Sequence, residues 1–174
     1  MKGKKTDMKK ILVVAAHPDD EILGVGATVA KHAAQGDEVY ALILGEGQTS
    51  RGEHREDISA EVVKELHQNT LESAKKVGYK EVYFADFPDN RFDQVDLLDV
   101  VKAVEHKIKG IQPEIIYTHY SGDLNIDHQY FLYLVLYAVQ SYFACGLIGE
   151  VIKYVHSLVV LYRLGILALL YLCK

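Results

Sequence analysis

Ile11-Leu12-Val13-Val14-Ala15-Ala16-His17-Pro18-Asp19-Asp20-Glu21 is an apolar run of strand length that breaks directly into a histidine and three acids. A continuous aliphatic, largely β-branched run is how a strand buried on both faces of a parallel sheet reads. Pro18 cannot donate to a ladder, so pairing ends there. Asp19 or Asp20 can then cap a helix that starts near Glu21. In open α/β sheets, ligands sit beyond the carboxyl ends of the strands, and His17, Asp19 and Asp20 fall in that place.

The spacing carries chemistry. His17 and Asp20, three apart where a strand turns into a helix, can point at one ion, and an imidazole nitrogen with a carboxylate oxygen suits zinc or another divalent metal. Asp19 would face another way and stay available as a base beside a metal-bound water. The plain alternative is that the acids cap a helix and favour its positive end, with His17 a surface residue. Placement directly after a buried strand favours the metal reading.

Ala16-His17-Pro18-Asp19-Asp20-Glu21 resembles the signature of the PIG-L/LmbE-like zinc-dependent N-acetylglucosaminyl deacetylases. The resemblance covers roughly residues 9–135. It implies a hydrolase that removes the N-acetyl group from an N-acetylglucosamine-type conjugate by attack of a zinc-bound water.

Further along, apolar and small residues recur at helical spacing over 21–35, with Gly36 ending the helix. Residues 38–44 read as a second strand, leading into a polar loop that contains Arg51, on the same sheet edge as His17. A guanidinium at the mouth of a site suits hydroxyl, carboxylate or phosphate groups, and the family resemblance implies substrate binding for an arginine here. A long amphipathic helix over 55–77, closed by Gly78, precedes a third strand over 81–85. Asp86-Phe87-Pro88-Asp89-Asn90-Arg91 comes next. It is either a turn stapled by Asp and Asn side chains or a substrate loop, with Asp89 and Arg91 the candidates; a Pro-Asp-Asn-Arg segment also occurs in the resembled family. A helix over 96–109, stopped by Gly110, and a fourth strand over 114–118 complete a strand–helix alternation. That alternation predicts right-handed crossovers, helices on both faces and a Rossmann-like, doubly wound, mainly parallel sheet in a single α/β domain.

The second chemical stretch is His119-Tyr120-Ser121-Gly122-Asp123-Leu124-Asn125-Ile126-Asp127-His128. Catalytic zinc sites commonly take three protein ligands, and His128 is placed to be the third, with Asp127 able to orient an imidazole. The resemblance supports His128 as ligand. Many members carry His-x-Asp-His, whose first histidine polarises the reacting carbonyl. Here Asn125 holds that slot. An amide donates to an oxyanion but cannot pass a proton near neutral pH, so Asn125 and His119 share the claim on that role.

The 174 residues are 49% hydrophobic and 25% charged with net charge −5, values of an ordinary globular chain with no pull toward nucleic acid. Cys145 and Cys173 match no metal or redox spacing. The stretch before His17 is too short in apolar residues for a secretory core; a cytoplasmic setting is expected, and a homo-oligomer is left open. The pattern changes after residue 135: 136–174 is atypical and apolar, read as a buried or membrane-contacting helix over 159–173, or as a truncated or out-of-frame ending. Two further functions compete with the hydrolase: a metal- or sugar-binding protein without turnover, and a receiver-like Mg²⁺-binding signalling domain using the paired acids with Asp86.

Overall fold

The computed structural model describes residues 8–48, 59–120, 122–144, 156–158 and 167–171. Six strands form one sheet in the order β3-β2-β1-β4-β6-β5. They are β1 (Lys10–Ala15), β2 (Glu38–Gly45), β3 (Glu81–Phe87), β4 (Ile115–His119), β5 (His156–Leu158) and β6 (Leu167–Tyr171). The first four are parallel. β6 adds antiparallel to β4, and β5 antiparallel to β6.

Side-chain alternation splits the core between the two faces. Ile11 and Val13 of β1 pack with Val29, Ala74 and Tyr79 on one face. Leu12, Val14 and Ala16 pack with Val104, Ile108, Phe131 and Val135 on the other. The first face carries α2 (Gly26–Ala34) and α3 (Ala60–Val77), the second α4 (Leu97–Ile111) and α5 (Ile126–Ala144). Both faces of β1 are therefore covered, which is why its run is unbrokenly apolar. The chain lays β2 and β3 to one side of β1 and then crosses to place β4 on the other. The β1–β4 boundary is the switch point where such sheets open a crevice at the strands' carboxyl ends.

Three local expectations are corrected. The helix expected over 21–35 is two pieces, α1 (Asp20–Leu23) and α2, parted at Gly24-Val25. Gly110 does not stop α4: a Cβ there would meet nothing within 4 Å, and the helix runs on to end at Gln112, in the left-handed region at φ 55°. In the apolar tail, Leu167–Tyr171 is a strand paired to β4 rather than part of a helix. Among the described residues no helix is long and apolar enough to cross a membrane. Gly78 does close α3, at φ 109° with its N–H on the Ala74 carbonyl, and a Cβ there would lie 2.6 Å from the Ala33 Cβ.

One bulge bears on the site. Ile43 pairs with Phe84 but Gly45 pairs with Phe87, so β3 carries one extra residue. Asp86 sits in that extra length at φ 55°. Bulges bend a strand and re-aim the residues beyond them; Asp89 and Asn90 lie just beyond this one.

Candidate active site

Three atoms converge where β1 meets β4. Nδ1 of His17 lies 3.4 Å from Nε2 of His128 and 3.5 Å from Oδ2 of Asp20, and the last two are 3.2 Å apart. His17 leaves the end of β1, Asp20 opens α1 and His128 lies in the first turn of α5. A tight turn fixes the first two, because the His17 N–H donates to Oδ2 of Asp20 at 2.9 Å. All three side chains keep a little surface, 12%, 17% and 12%, so the group is lined by protein yet open on one side.

The far nitrogen of each imidazole is held by carboxylates. Nε2–H of His17 is shared between Oδ1 of Asp89 at 2.9 Å and Oδ2 of Asp127 at 3.0 Å. Nδ1–H of His128 donates to Oδ2 of Asp123 at 2.9 Å. With those protons so placed, the inner nitrogens, once deprotonated, would present lone pairs beside the Asp20 oxygen, a donor set suited to a divalent cation. Tetrahedral zinc with bonds of roughly 2.0–2.1 Å sets its ligands about 3.3–3.4 Å apart. The observed triangle, 3.2 to 3.5 Å, fits that ion, and carboxylates on the outer nitrogens are the usual support for metal-bound histidines.

The electrostatics agree. Burial would lower His17, but its bonds to Asp127, Asp20 and Asp89 outweigh that and raise it to about 11. His128 is raised against burial by Asp20 and Asp123. Asp20, against its own burial, is held far below the usual carboxylate range by His128 and His17. The cluster is built to hold positive charge.

His119, a candidate substrate contact, lies behind the triangle instead. It is 1% exposed, its Nε2 accepts the Ala16 N–H at 2.8 Å, and its ring stacks on His128 with centroids 4.0 Å apart. Burial lowers it to about 3, so it is neutral. A ring with no surface and an occupied nitrogen cannot reach a ligand. Asp89 is likewise misplaced as a substrate contact: at 3% exposed it is turned inward to His17.

Asn125 caps α5, its Oδ1 accepting the Asp127 N–H at 2.9 Å. Asp127 is fully buried. Its Oδ2 takes a second bond, from the Asn90 N–H at 2.7 Å, while Oδ1 has no hydrogen-bond partner among the described residues. Asp19 is exposed in the turn between β1 and α1, at φ 117°. Arg91 is half-buried ahead of a 3₁₀ turn, Phe92–Gln94. Arg51 lies outside the described residues.

Sequence reasoning missed Asp123 and Gly45. Asp123 precedes His128 by five residues in the same acidic loop, a spacing that permits the Nδ1 contact. Gly45 gave no signal beyond a strand end, yet a Cβ on it would lie 2.9 Å from the Ala16 carbonyl and 3.2 Å from the His17 ring. A side chain there would collide with the back of His17.

Residues 12–139 match the family described as PIG-L, GlcNAc-PI de-N-acetylase. YaiS of Escherichia coli (strain K12), described as an uncharacterized deacetylase, is 29% identical over 151 residues, 84% of this chain and 73% of its own. The diacetylchitobiose deacetylase of Thermococcus kodakarensis is 30% identical over 111 residues, which are 63% of this chain and 40% of that enzyme. Among solved structures, the 4-carboxy-2-hydroxymuconate hydratase GalB of Pseudomonas putida matches with TM-score 0.64 and 25% identity over 78% of this chain and 59% of its own. The chain thus spans less than two thirds of two of these three proteins. With residues 12–139 matched out of 174, the chain belongs to the PIG-L family.

Proposed function

We propose that the chain is a metal-dependent N-deacetylase that frees the amine of an N-acetylated amino-sugar conjugate, releasing acetate. The observation that carries this reading is the 3.2–3.5 Å triangle of His17, Asp20 and His128 at the crevice between β1 and β4. Those three residues would hold zinc, which when bound supplies Lewis acidity toward water and the acetyl carbonyl.

The chain's own residues do the rest. Asp19, exposed one residue before Asp20, takes the proton of the attacking water and returns it to the leaving amine. Asp89, Asp127 and Asp123 hold the imidazoles in the tautomers that aim lone pairs inward. The oxygen of Asn125 is committed to the helix cap, which leaves its amide N–H₂ as the group that donates to the carbonyl oxygen. Arg51 and Arg91 are assigned to the sugar's hydroxyls. The amide hydrolase and N-acetylated sugar chemistry follow the family and the Thermococcus relative. Family membership sets aside the receiver-like reading.

A second reading is hydration of a carbon–carbon double bond in an acidic substrate. It is favoured by the similarity to GalB. One assay separates the two. The metal-loaded protein is incubated with a panel of N-acetylglucosamine conjugates and with an unsaturated hydroxy-diacid, each with and without chelator. Amine release that chelator abolishes supports the deacetylase. Loss of the diene absorbance without amine release supports the hydratase, and neither signal sinks both in favour of a binding protein without turnover.

A further inference from the structure

Asp19 has a backbone that few non-glycine residues adopt, φ 117° and ψ −30°. Such a conformation costs on the order of 1–3 kcal/mol and persists where its surroundings hold it. Pro18, just before it, is buried. From the other side Glu21 reaches back, its Oε2 accepting the Asp19 N–H at 2.9 Å. A glutamate in the first turn that binds the cap residue's amide resembles one half of a capping box. The usual partner bond is missing, since the Asp19 side chain makes no cap hydrogen bond.

Glu21 is an odd choice for a stability device. It is 1% exposed, and its other oxygen, Oε1, is buried without a hydrogen-bond partner among the described residues. Burying a carboxyl on backbone amide bonds alone, with no charged partner among the described residues, costs more than it returns. The residue is itself fixed from a distance, because the Tyr79 hydroxyl, between α3 and β3, donates to the Glu21 carbonyl at 2.8 Å. An apolar side chain of similar size would fill the space at lower cost. What it would not do is grip the Asp19 amide.

We infer that Glu21 is a positioning residue, whose buried carboxylate grips the Asp19 main chain and so sets the direction in which the Asp19 carboxylate leaves it. The inference rests on the deacetylase reading for the role of Asp19, and on geometry alone for the grip. A swing of the peptide at residue 19 would move the base away from the His17–Asp20–His128 triangle, and misplacement by about 1 Å can cost ~10²-fold in rate.

The test uses the metal-loaded full chain with Glu21→Gln, which keeps an acceptor oxygen, and Glu21→Leu and Glu21→Ala, which do not. Expected for Leu and Ala is a kcat about 100-fold lower, with bound metal and KM unchanged and, for Leu, a melting temperature equal to or above that of the parent. Gln recovers most of the rate. In parallel, hydrogen exchange of the Asp19 amide is followed by NMR: slow in the parent and in Gln, fast in Leu and Ala. Unchanged kcat in both Leu and Ala, or an amide that stays protected in both, overturns the inference. If the parent releases no amine while the exchange pattern holds, the grip stands and the deacetylase reading fails.

Discussion

Nδ1 of His17 and Nε2 of His128 lie 3.4 Å apart although 111 residues separate them in the chain. Both nitrogens also face Oδ2 of Asp20, at 3.5 and 3.2 Å. Single replacement of His17, Asp20 or His128 by Ala is therefore expected to weaken divalent metal binding by at least about 100-fold while the far-ultraviolet spectrum stays native. Elemental analysis after gel filtration checks it; a variant that retains a full equivalent of metal removes that residue from the ligand set.

Asp89 and Asp123 touch the two imidazoles from outside, each at 2.9 Å. Asp89→Asn and Asp123→Asn should each reduce metal affinity about 10–100-fold, with KM at saturating metal nearly unaltered. A raised KM with normal metal affinity in Asp89→Asn would return that residue to the role of a substrate contact.

Gly45→Ala should cost about 1–3 kcal/mol in urea unfolding, because the new methyl must displace the Ala16 carbonyl and the His17 ring. Metal affinity should fall with it. A variant with parental stability and metal content would show that the end of β2 yields without disturbing His17.

Asn125→His should separate rate from stability. Histidine in that slot can pass a proton, a gain of order 10²-fold in kcat for amine release, while loss of the cap on α5 costs about 1 kcal/mol. A slower and equally stable variant would mean that Asn125 is not the carbonyl-facing group.

Away from the site, Asp37 accepts the Lys9 N–H at 2.9 Å and pairs with Nδ1 of His32 at 2.8 Å. Burial opposes ionisation, but those two bonds prevail and hold its pKa below the ordinary aspartate value. A lowered folded-state pKa adds stability that is complete above the unfolded value and drains away as the solution is acidified through it. Asp37→Asn should thus be less stable than the parent by about 1–2 kcal/mol at neutral pH, with the gap narrowing below about pH 4. Urea midpoints measured between acid and neutral pH would show it; a gap independent of pH would put the effect elsewhere.

Much of this was legible in the sequence, for local reasons. Ile11–Ala16 announces a central strand because both its faces are covered, and the strand–helix alternation fixes the neighbours of β1. The acids and histidines after β1 and β4 stand out because strand ends in such sheets meet at a crevice. Illegible were properties that arise only when distant segments touch. Asp89 looks like a polar loop residue until the bulge in β3 turns it under His17. His119 ends a strand, but the neighbouring Ala16 amide and the His128 ring enclose it. Gly110 looks like a stop signal, yet no backbone demand there requires glycine, and Gln112 takes the left-handed cap instead. The tail's uniform apolarity carries no period, so its pairing with β4 could not be read from spacing.

The sheet order has a temporal side. During synthesis His17 and Asp20 leave the ribosome early, whereas His128 emerges more than a hundred residues later and reaches them after β4 docks against β1. A nascent polypeptide halted before β4 would carry His17 and Asp20 without His128; on the proposed metal reading that is an incomplete ligand set. Uptake of metal would then serve as a clock hand for this domain, marking the moment at which its two halves first join.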